Sequence, residues 1–130
     1  MTEVELKNLI SRKEHQTLEF KESTGEKKEI CETICAFANS DGGIILVGVK
    51  NNGKISKAEI TEKSQTDITD LFVNFKPKIT SSISFETSPD FDGQNILIIK
   101  VEKAKNSNNL QKYDFSQKLF RLVQTQAKTG

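Results

Sequence analysis

Apolar residues along the chain switch between helical and extended spacing, and each switch predicts a new element. Loosely helical spacing over residues 3–12 predicts a first helix. Over residues 17–21 the spacing changes to alternation, which predicts a short strand with Glu19 and Lys21 on its polar side. The run GIILVGV, residues 43–49, is apolar and rich in β-branched residues, so it predicts a strand with both faces buried.

Two more helices are predicted around the buried strand. Ser23 and Glu26 have the spacing of a capping box, which places the start of a second helix there. That helix should end at the turn-forming run NSDGG. A third helix should begin near Ser64 or Thr66 and stop before Pro77, because the residue before a proline disfavours helical geometry. The apolar face of the second helix consists of Ile30, Ile34, Phe37 and Ala38.

Turn signals separate several further strands. Asn52-Gly53 in KNNGK favours a hairpin with positive φ angles at both residues, and residues 54–58 would be its return strand. Residues 79–85 alternate as a strand, and the pair DG then leads into the apolar run NILIIKV. Two short strands are expected around Lys112–Phe115 and Leu119–Val123. These elements predict an α/β fold, a single compact domain over residues 1–130 with a mixed β-sheet packed against two to three helices.

The segment GVKNNGKI, residues 48–55, nearly spells the nucleotide-binding loop G-x-x-x-x-G-K-[ST]. A loop of that type needs a hydroxyl after its lysine and a helix that begins at the phosphates. Here Ile55 occupies the hydroxyl position, and the residues that follow have strand-like spacing. The segment therefore favours a hairpin over a nucleotide site.

Composition limits the classes of protein that this chain can represent. The 130 residues are 35% hydrophobic and 28% charged with a net charge of +1, which argues against a uniformly basic nucleic-acid binder. The basic residues are nevertheless concentrated after residue 102, which predicts a basic strip at that end. No apolar run is long enough to cross a bilayer, and the acidic first residues differ from a signal peptide. We expect a cytoplasmic protein with no membrane partner.

The two cysteines, Cys31 and Cys35, lie four residues apart within the second predicted helix. This spacing is poor for a disulfide and typical of two small buried side chains. His15 is the sole histidine, so the chain lacks the set of soft ligands that a zinc site requires, and no metal is expected through sulfur.

Three stretches together resemble the Schlafen AlbA-type domain family. They are LEFK at 18–21, CAFANSDGG at 35–43, and ILVGV at 45–49 followed by Asn52-Gly53. A looser match is LFRLVQTQAK at 119–128, so the resemblance extends from about Glu14 to Lys128. It implies a compact α/β module of the kind found in DNA-binding regulators and in Schlafen proteins that act on RNA, some of which are metal-dependent endonucleases.

The resemblance also implies an acidic site. Nuclease members have two glutamates five residues apart and a later aspartate, and Glu14 and Glu19 match the first pair as catalytic residues and ligands of Mg²⁺ or Mn²⁺. Where the aspartate is expected, this chain has Lys50 followed by two asparagines. A lysine there repels a metal ion and attracts phosphate. Asp41 could take the place of the aspartate only if its turn folds toward Glu19.

These features lead to three hypotheses of function. The first is a nucleic-acid-binding module of the transcriptional regulator type, without catalysis, that contacts phosphates through Lys21, Lys50, Lys112 and Arg121. The second is a metal-dependent endoribonuclease using Glu14 and Glu19. The third is a dimerisation or protein-interaction module, active as a homodimer. Glu19 and Lys21 could also be an ordinary ion pair at the protein surface.

Overall fold

The computed structural model describes residues 1–57, 59–70, 83–91 and 94–103. Alternating segments of α-helix and β-strand follow the order expected from the sequence, and they form a small α/β domain. The elements are α1 Glu3–Ser11, β1 Leu18–Lys21, α2 Lys27–Ala38, β2 Gly43–Val47, α3 Glu62–Asp70, β3 Ile83–Phe91 and β4 Gln94–Val101. The described helices include none long and apolar enough to cross a membrane.

The four strands form one mixed sheet in the order β1-β2-β4-β3. β1 runs parallel to β2, with Leu18 opposite Ile44, while β4 is antiparallel to both of its neighbours. The parallel pair requires a crossover, and α2 supplies it. The predicted α/β class with a mixed sheet is therefore confirmed.

The sheet separates two apolar layers. On one side α2 packs against residues such as Ile45 and Val47 of β2, and Ile68 of α3 joins this layer. On the other side Leu6 of α1 packs with Leu46 and with the buried residues of β1 and β4. Successive residues of β2 enter opposite layers, which explains why its sequence is apolar throughout.

Helix capping differs from the prediction at the start of α2. At α2 the predicted box is wrong: the N-cap residue is Glu26 and it makes no side-chain cap, while Ser23 Oγ accepts a hydrogen bond from Gly25 N. Glu26 instead accepts one from Glu22 N at 3.0 Å. A complete capping box lies at α1, where Thr2 Oγ1 accepts from Glu5 N and the Glu5 carboxylate accepts from Thr2 N. Ser23 lies three residues before the N-cap residue, and its hydroxyl accepts a hydrogen bond within its own loop.

The third helix begins at Glu62, slightly earlier than predicted. Thr61 and Ser64 exchange hydrogen bonds between their side chains and backbone N–H groups, each at 3.2 Å, and this reciprocal cap fixes the start. Ile68 is buried as expected. The predicted end before Pro77 and the start of the third strand at residue 79 lie outside the described residues, as do the strands predicted around Lys112–Phe115 and Leu119–Val123.

The predicted hairpin after β2 forms, with a different turn. Gly53 N donates to Lys50 O at 2.8 Å, so Asn51 and Asn52 are the central residues. Among residues 50–54 only Gly53 has a positive φ, of +85°. The return strand is reduced to an isolated bridge between Val49 and Ile55. This segment has none of the helix that a nucleotide-binding loop requires.

The two cysteines form no disulfide and are buried in α2, as the helical spacing predicts. Burial raises the pKa of the Cys31 thiol to about 12, with smaller contributions from the charges of Glu32 and Cys35. Cys31 is therefore a neutral packing group at physiological pH.

Candidate nucleic-acid interface

β1 is at the edge of the sheet that the described residues form, and its alternation directs two charged residues toward the α2 layer. Leu18 and Phe20 pack in the α1 layer, so Glu19 and Lys21 lie on the other face, beside Ile45 of β2 and its neighbours. The Lys21 ammonium is 3.7 Å from Glu19 Oε1. The side chains are 15% exposed for Lys21 and 31% exposed for Glu19, so this pair is more enclosed than an ordinary surface ion pair.

Glu14 lies beside the same strand and bonds to its open edge. Its Oε1 accepts a hydrogen bond from Phe20 N at 3.1 Å. The next outward-facing amide, Leu18 N, donates to His15 O, and His15 N donates back to Leu18 O. The segment before β1 therefore satisfies edge groups that would otherwise be free to pair with another strand. This gives Glu14 a structural role that its position in the sequence does not reveal.

The two acids interact electrostatically. Burial raises the pKa of Glu19 above its usual value, and the negative charge of Glu14 raises it further. The nearby Lys21 ammonium opposes both effects by its charge and its hydrogen bond. The carboxylates of Glu14 and Glu19 are thus near enough for their charges to interact, and the Lys21 ammonium lies beside Glu19.

Lys50 lies in a turn that is firmly attached to the end of β1. Lys21 O accepts hydrogen bonds from Gly48 N at 2.7 Å and Val49 N at 3.1 Å. Ser56, which is buried, donates from its hydroxyl to Glu22 O at 2.6 Å and from its backbone to Gly48 O at 2.8 Å. Both ends of the turn are therefore fixed, and its residues Lys50 and Lys54 are exposed.

The same turn lies against the C-terminal end of α1 and brings further cations to this end of the molecule. A Cβ atom at Gly53 would be 3.4 Å from Ile10 Cγ2, and the backbone N–H of Lys13 donates to Ile10 O at 3.2 Å. We use the name basic rim for the four exposed cations at this end, Arg12, Lys13, Lys50 and Lys54.

The cations of the basic rim have no acidic partner in the part of the chain that the structure describes. The ion pairs there involve other cations. Sequence reasoning selected Lys50 and missed Arg12 and Lys13. An Arg-Lys pair at the end of a predicted helix was the available signal, but only the packing of Gly53 against Ile10 brings that pair to the Lys50 turn.

The residues present do not form a convincing metal site. Among the described residues, no group of three or more His, Cys, Asp and Glu side chains could hold a metal ion. One oxygen of Glu14 accepts from Phe20 N, and Lys21 lies against Glu19. Asp41 lies in the turn before β2, and its charge is not among those that shift the pKa of Glu19, which are the charges of Glu14 and Lys21. The set therefore falls short of the oxygen ligands that Mg²⁺ or Mn²⁺ needs.

Two of the predicted phosphate contacts, Lys112 and Arg121, lie outside the described residues. The structure does bring together Glu14, Glu19 and Lys21, and it places Lys50 at the end of the same strand. In a comparison with protein families, the family model described as Schlafen, AlbA_2 matches residues 14–128.

Proposed function

Because this chain belongs to the Schlafen AlbA_2 family, we propose that it is a nucleic-acid-binding module that contacts phosphates through a basic face. Lys50 and the other cations of the basic rim are the main contacts. Lys21 lies at the end of β1 beside this rim, and Lys112 and Arg121 extend the contact. The family is consistent with a nucleic-acid-related domain, and the choice of phosphate-binding residues is our own inference.

The basic rim is the observation that carries this proposal. Its four cations come from two separate segments, are exposed, and form no ion pair with an acid of the described residues. Cations that serve only solubility gain nothing from being held together, because like charges repel. Phosphate groups would relieve that repulsion and release counterions, which favours binding.

The test is a titration of fluorescently labelled transfer RNA and single-stranded DNA, in EDTA, over a series of salt concentrations. We expect binding that weakens steeply with salt. The double variant Lys50→Gln/Lys54→Gln should reduce the slope of log affinity against log salt by about 1.5, since each lost phosphate contact removes about 0.7–0.9. Lys112→Gln/Arg121→Gln should act similarly.

The matched control is Lys28→Gln/Lys63→Gln. It removes the same charge from exposed lysines of α2 and α3, which are paired with Glu32 and Asp67. We expect its slope to change by less than half as much. Binding that is undetectable for the natural chain even at low salt would contradict the proposal. Equal effects of both double variants would contradict the assignment to the basic rim, because the nucleic acid would then respond to the net charge of the protein alone.

An endoribonuclease is the second candidate, and the closeness of Glu14 and Glu19 favours it. In the binding assay, repeated with Mn²⁺, it predicts shortened RNA that Glu19→Gln no longer produces. Intact RNA with Mn²⁺ would support the binding module alone. Cleavage that is unchanged in Glu19→Gln would rule out this acid as the source of the activity.

Three finer predictions concern the biological setting. A role in transcriptional regulation, a cytoplasmic location and homodimerisation all remain predictions from the sequence. Of these, homodimerisation is the simplest to measure, because a chain of 14.6 kDa and its dimer separate clearly by sedimentation or light scattering. A strict monomer at high concentration would exclude the dimer.

A further inference from the structure

An open cavity of about 510 Å³ lies at the end of the sheet where β2 begins and β4 ends. Its walls come from Thr17 before β1, the turn that carries Asp41, and the paired ends of β3 and β4. It is at the opposite end of β1 from the Lys50 turn. The volume is within the range of pockets for small organic ligands.

The charges around this cavity favour hydrogen-bond donors over phosphate. Asp41 and Glu102 both line it and are exposed carboxylates. Lys100 is the cation among the described lining residues, with its Nζ 3.2 Å from Glu86 Oε2. Glu86 also binds the N-terminal ammonium of Met1 at 2.7 Å, so these three groups together carry one positive charge. With Asp41 and Glu102 the cavity is still net negative, so it disfavours a phosphate, whereas the N–H groups of an amino group can donate to the two carboxylates.

The rest of the lining offers an apolar surface with hydroxyl groups at its side. Ile44 and Ile83 are half-buried and line the cavity together with Val101. Thr17 and Ser84 contribute hydroxyls. A flat ring with polar edges matches such a surface, because its faces contact the aliphatic side chains while its edges bond to the polar ones.

The turn that carries Asp41 is fixed in place before any ligand arrives. Ser40 N and Gly42 N both donate to Phe37 O, at 3.1 and 2.8 Å. A Cβ at Gly42 would be only 2.6 Å from Val101 O, so the turn lies directly on the end of β4. A preformed position costs little ordering entropy on binding.

We propose that this cavity binds an unpaired nucleobase whose exocyclic amino group donates hydrogen bonds to the carboxylates of Asp41 and Glu102. The proposal rests on the proposed function, since the base would belong to the nucleic acid whose phosphates contact the basic rim. Leu18 and Lys21 are three residues, about 10 Å, apart along β1, so one strand of nucleic acid can reach both ends. Unpaired bases are the parts of RNA that proteins read through base edges.

Free ribonucleosides test the cavity separately, because they carry no phosphate. Cytidine and adenosine present an amino group, and uridine presents a carbonyl oxygen in its place. In ¹⁵N-edited NMR titrations, we expect cytidine and adenosine to shift the amides of Thr17, Gly42–Ile44, Ser84 and Val101. Uridine should bind at least about fivefold more weakly.

Two kinds of variant locate the binding. Asp41→Asn and Glu102→Gln replace an acceptor carboxylate with an amide, and each should weaken cytidine binding by about fivefold or more. Ser84→Tyr should block the cavity. Thr87→Tyr is its matched control, since Thr87 is also exposed on β3 but does not line the cavity. Spectra of each variant without ligand report whether it is folded.

Absence of shifts at the lining residues with millimolar cytidine and adenosine would overturn the inference. Equal affinity for uridine would also overturn it, because the carboxylates would then not select the base. If labelled RNA binds through the basic rim while nucleosides do not bind, the cavity inference fails alone. If neither binds, the proposed function fails with it.

Discussion

Glu19 is subject to opposing influences from its neighbours, and these can be separated by substitution. Burial and the Glu14 charge raise the pKa of Glu19, while Lys21 lowers it. Glu14→Gln removes the charge but keeps an oxygen that can accept from Phe20 N. We expect the pKa of Glu19 to fall in Glu14→Gln and to rise in Lys21→Gln, as measured by NMR titration of the side-chain carboxyl carbon. Shifts in the same direction for both variants would contradict the observed arrangement.

The raised pKa of Glu19 also determines how it affects stability. Since the folded protein holds this proton more tightly than the unfolded chain, the group favours folding at low pH. Its contribution is lost as the pH rises from the usual value near 4.5 through the raised folded value. The pH dependence of unfolding in Glu19→Gln should lack this component, which a series of urea titrations can measure.

At the scale of an element, the turn between α2 and β2 depends on one glycine. Gly42 has a φ of +80°, and a Cβ there would meet the backbone of β4. We expect Gly42→Ala to lower the free energy of unfolding by about 2–4 kcal/mol, from the unfavourable φ and the collision with Val101 O together.

Gly25→Ala is the matched control for that substitution. Gly25 has no positive φ, and its added Cβ would meet only Ser23 Oγ, at 3.3 Å. We expect a change within about 1 kcal/mol. Chemical denaturation followed by circular dichroism measures both variants, and a similar loss for both would argue against a special conformation at Gly42.

At the scale of the whole molecule, the sheet joins two apolar layers into one folding unit. Ile45 and Leu46 are adjacent on β2 and fully buried, yet they enter opposite layers. We expect Ile45→Ala and Leu46→Ala each to cost about 2–5 kcal/mol and each to keep a single cooperative transition. Val4→Ala, at a side chain 68% exposed on α1, should change stability by no more than about 0.5 kcal/mol.

Circular dichroism and NMR should give the same urea concentration for the midpoint of that transition. Two separate transitions in either core variant would show that the α1 layer and the α2 layer unfold independently. The shared strands β2 and β4, which contribute to both layers, are the physical reason to expect one transition.

Local sequence patterns were sufficient to predict the structure of an element where a short run of residues determines it. The alternation in LEFK correctly predicted the two faces of β1, and the apolar run after Gly42 correctly predicted a strand buried on both sides. Local signals failed where side chains had a choice of partners. Ser23 had the spacing to cap α2, but its hydroxyl accepts from Gly25 N instead.

Within the described residues, the sequence alone determined the helices and the strands of the sheet, their order and their buried faces, because these depend on periodicity within a few residues. The return strand expected at 54–58 is the exception, since it is only an isolated bridge. Only the tertiary structure decided which charges meet. Gly53 lies on Ile10, which places the Lys50 turn beside the end of α1, and Thr17 shares a cavity with Ser84 and Lys100. Such contacts follow from strand order and register, which join residues far apart in the chain and leave no local pattern in it.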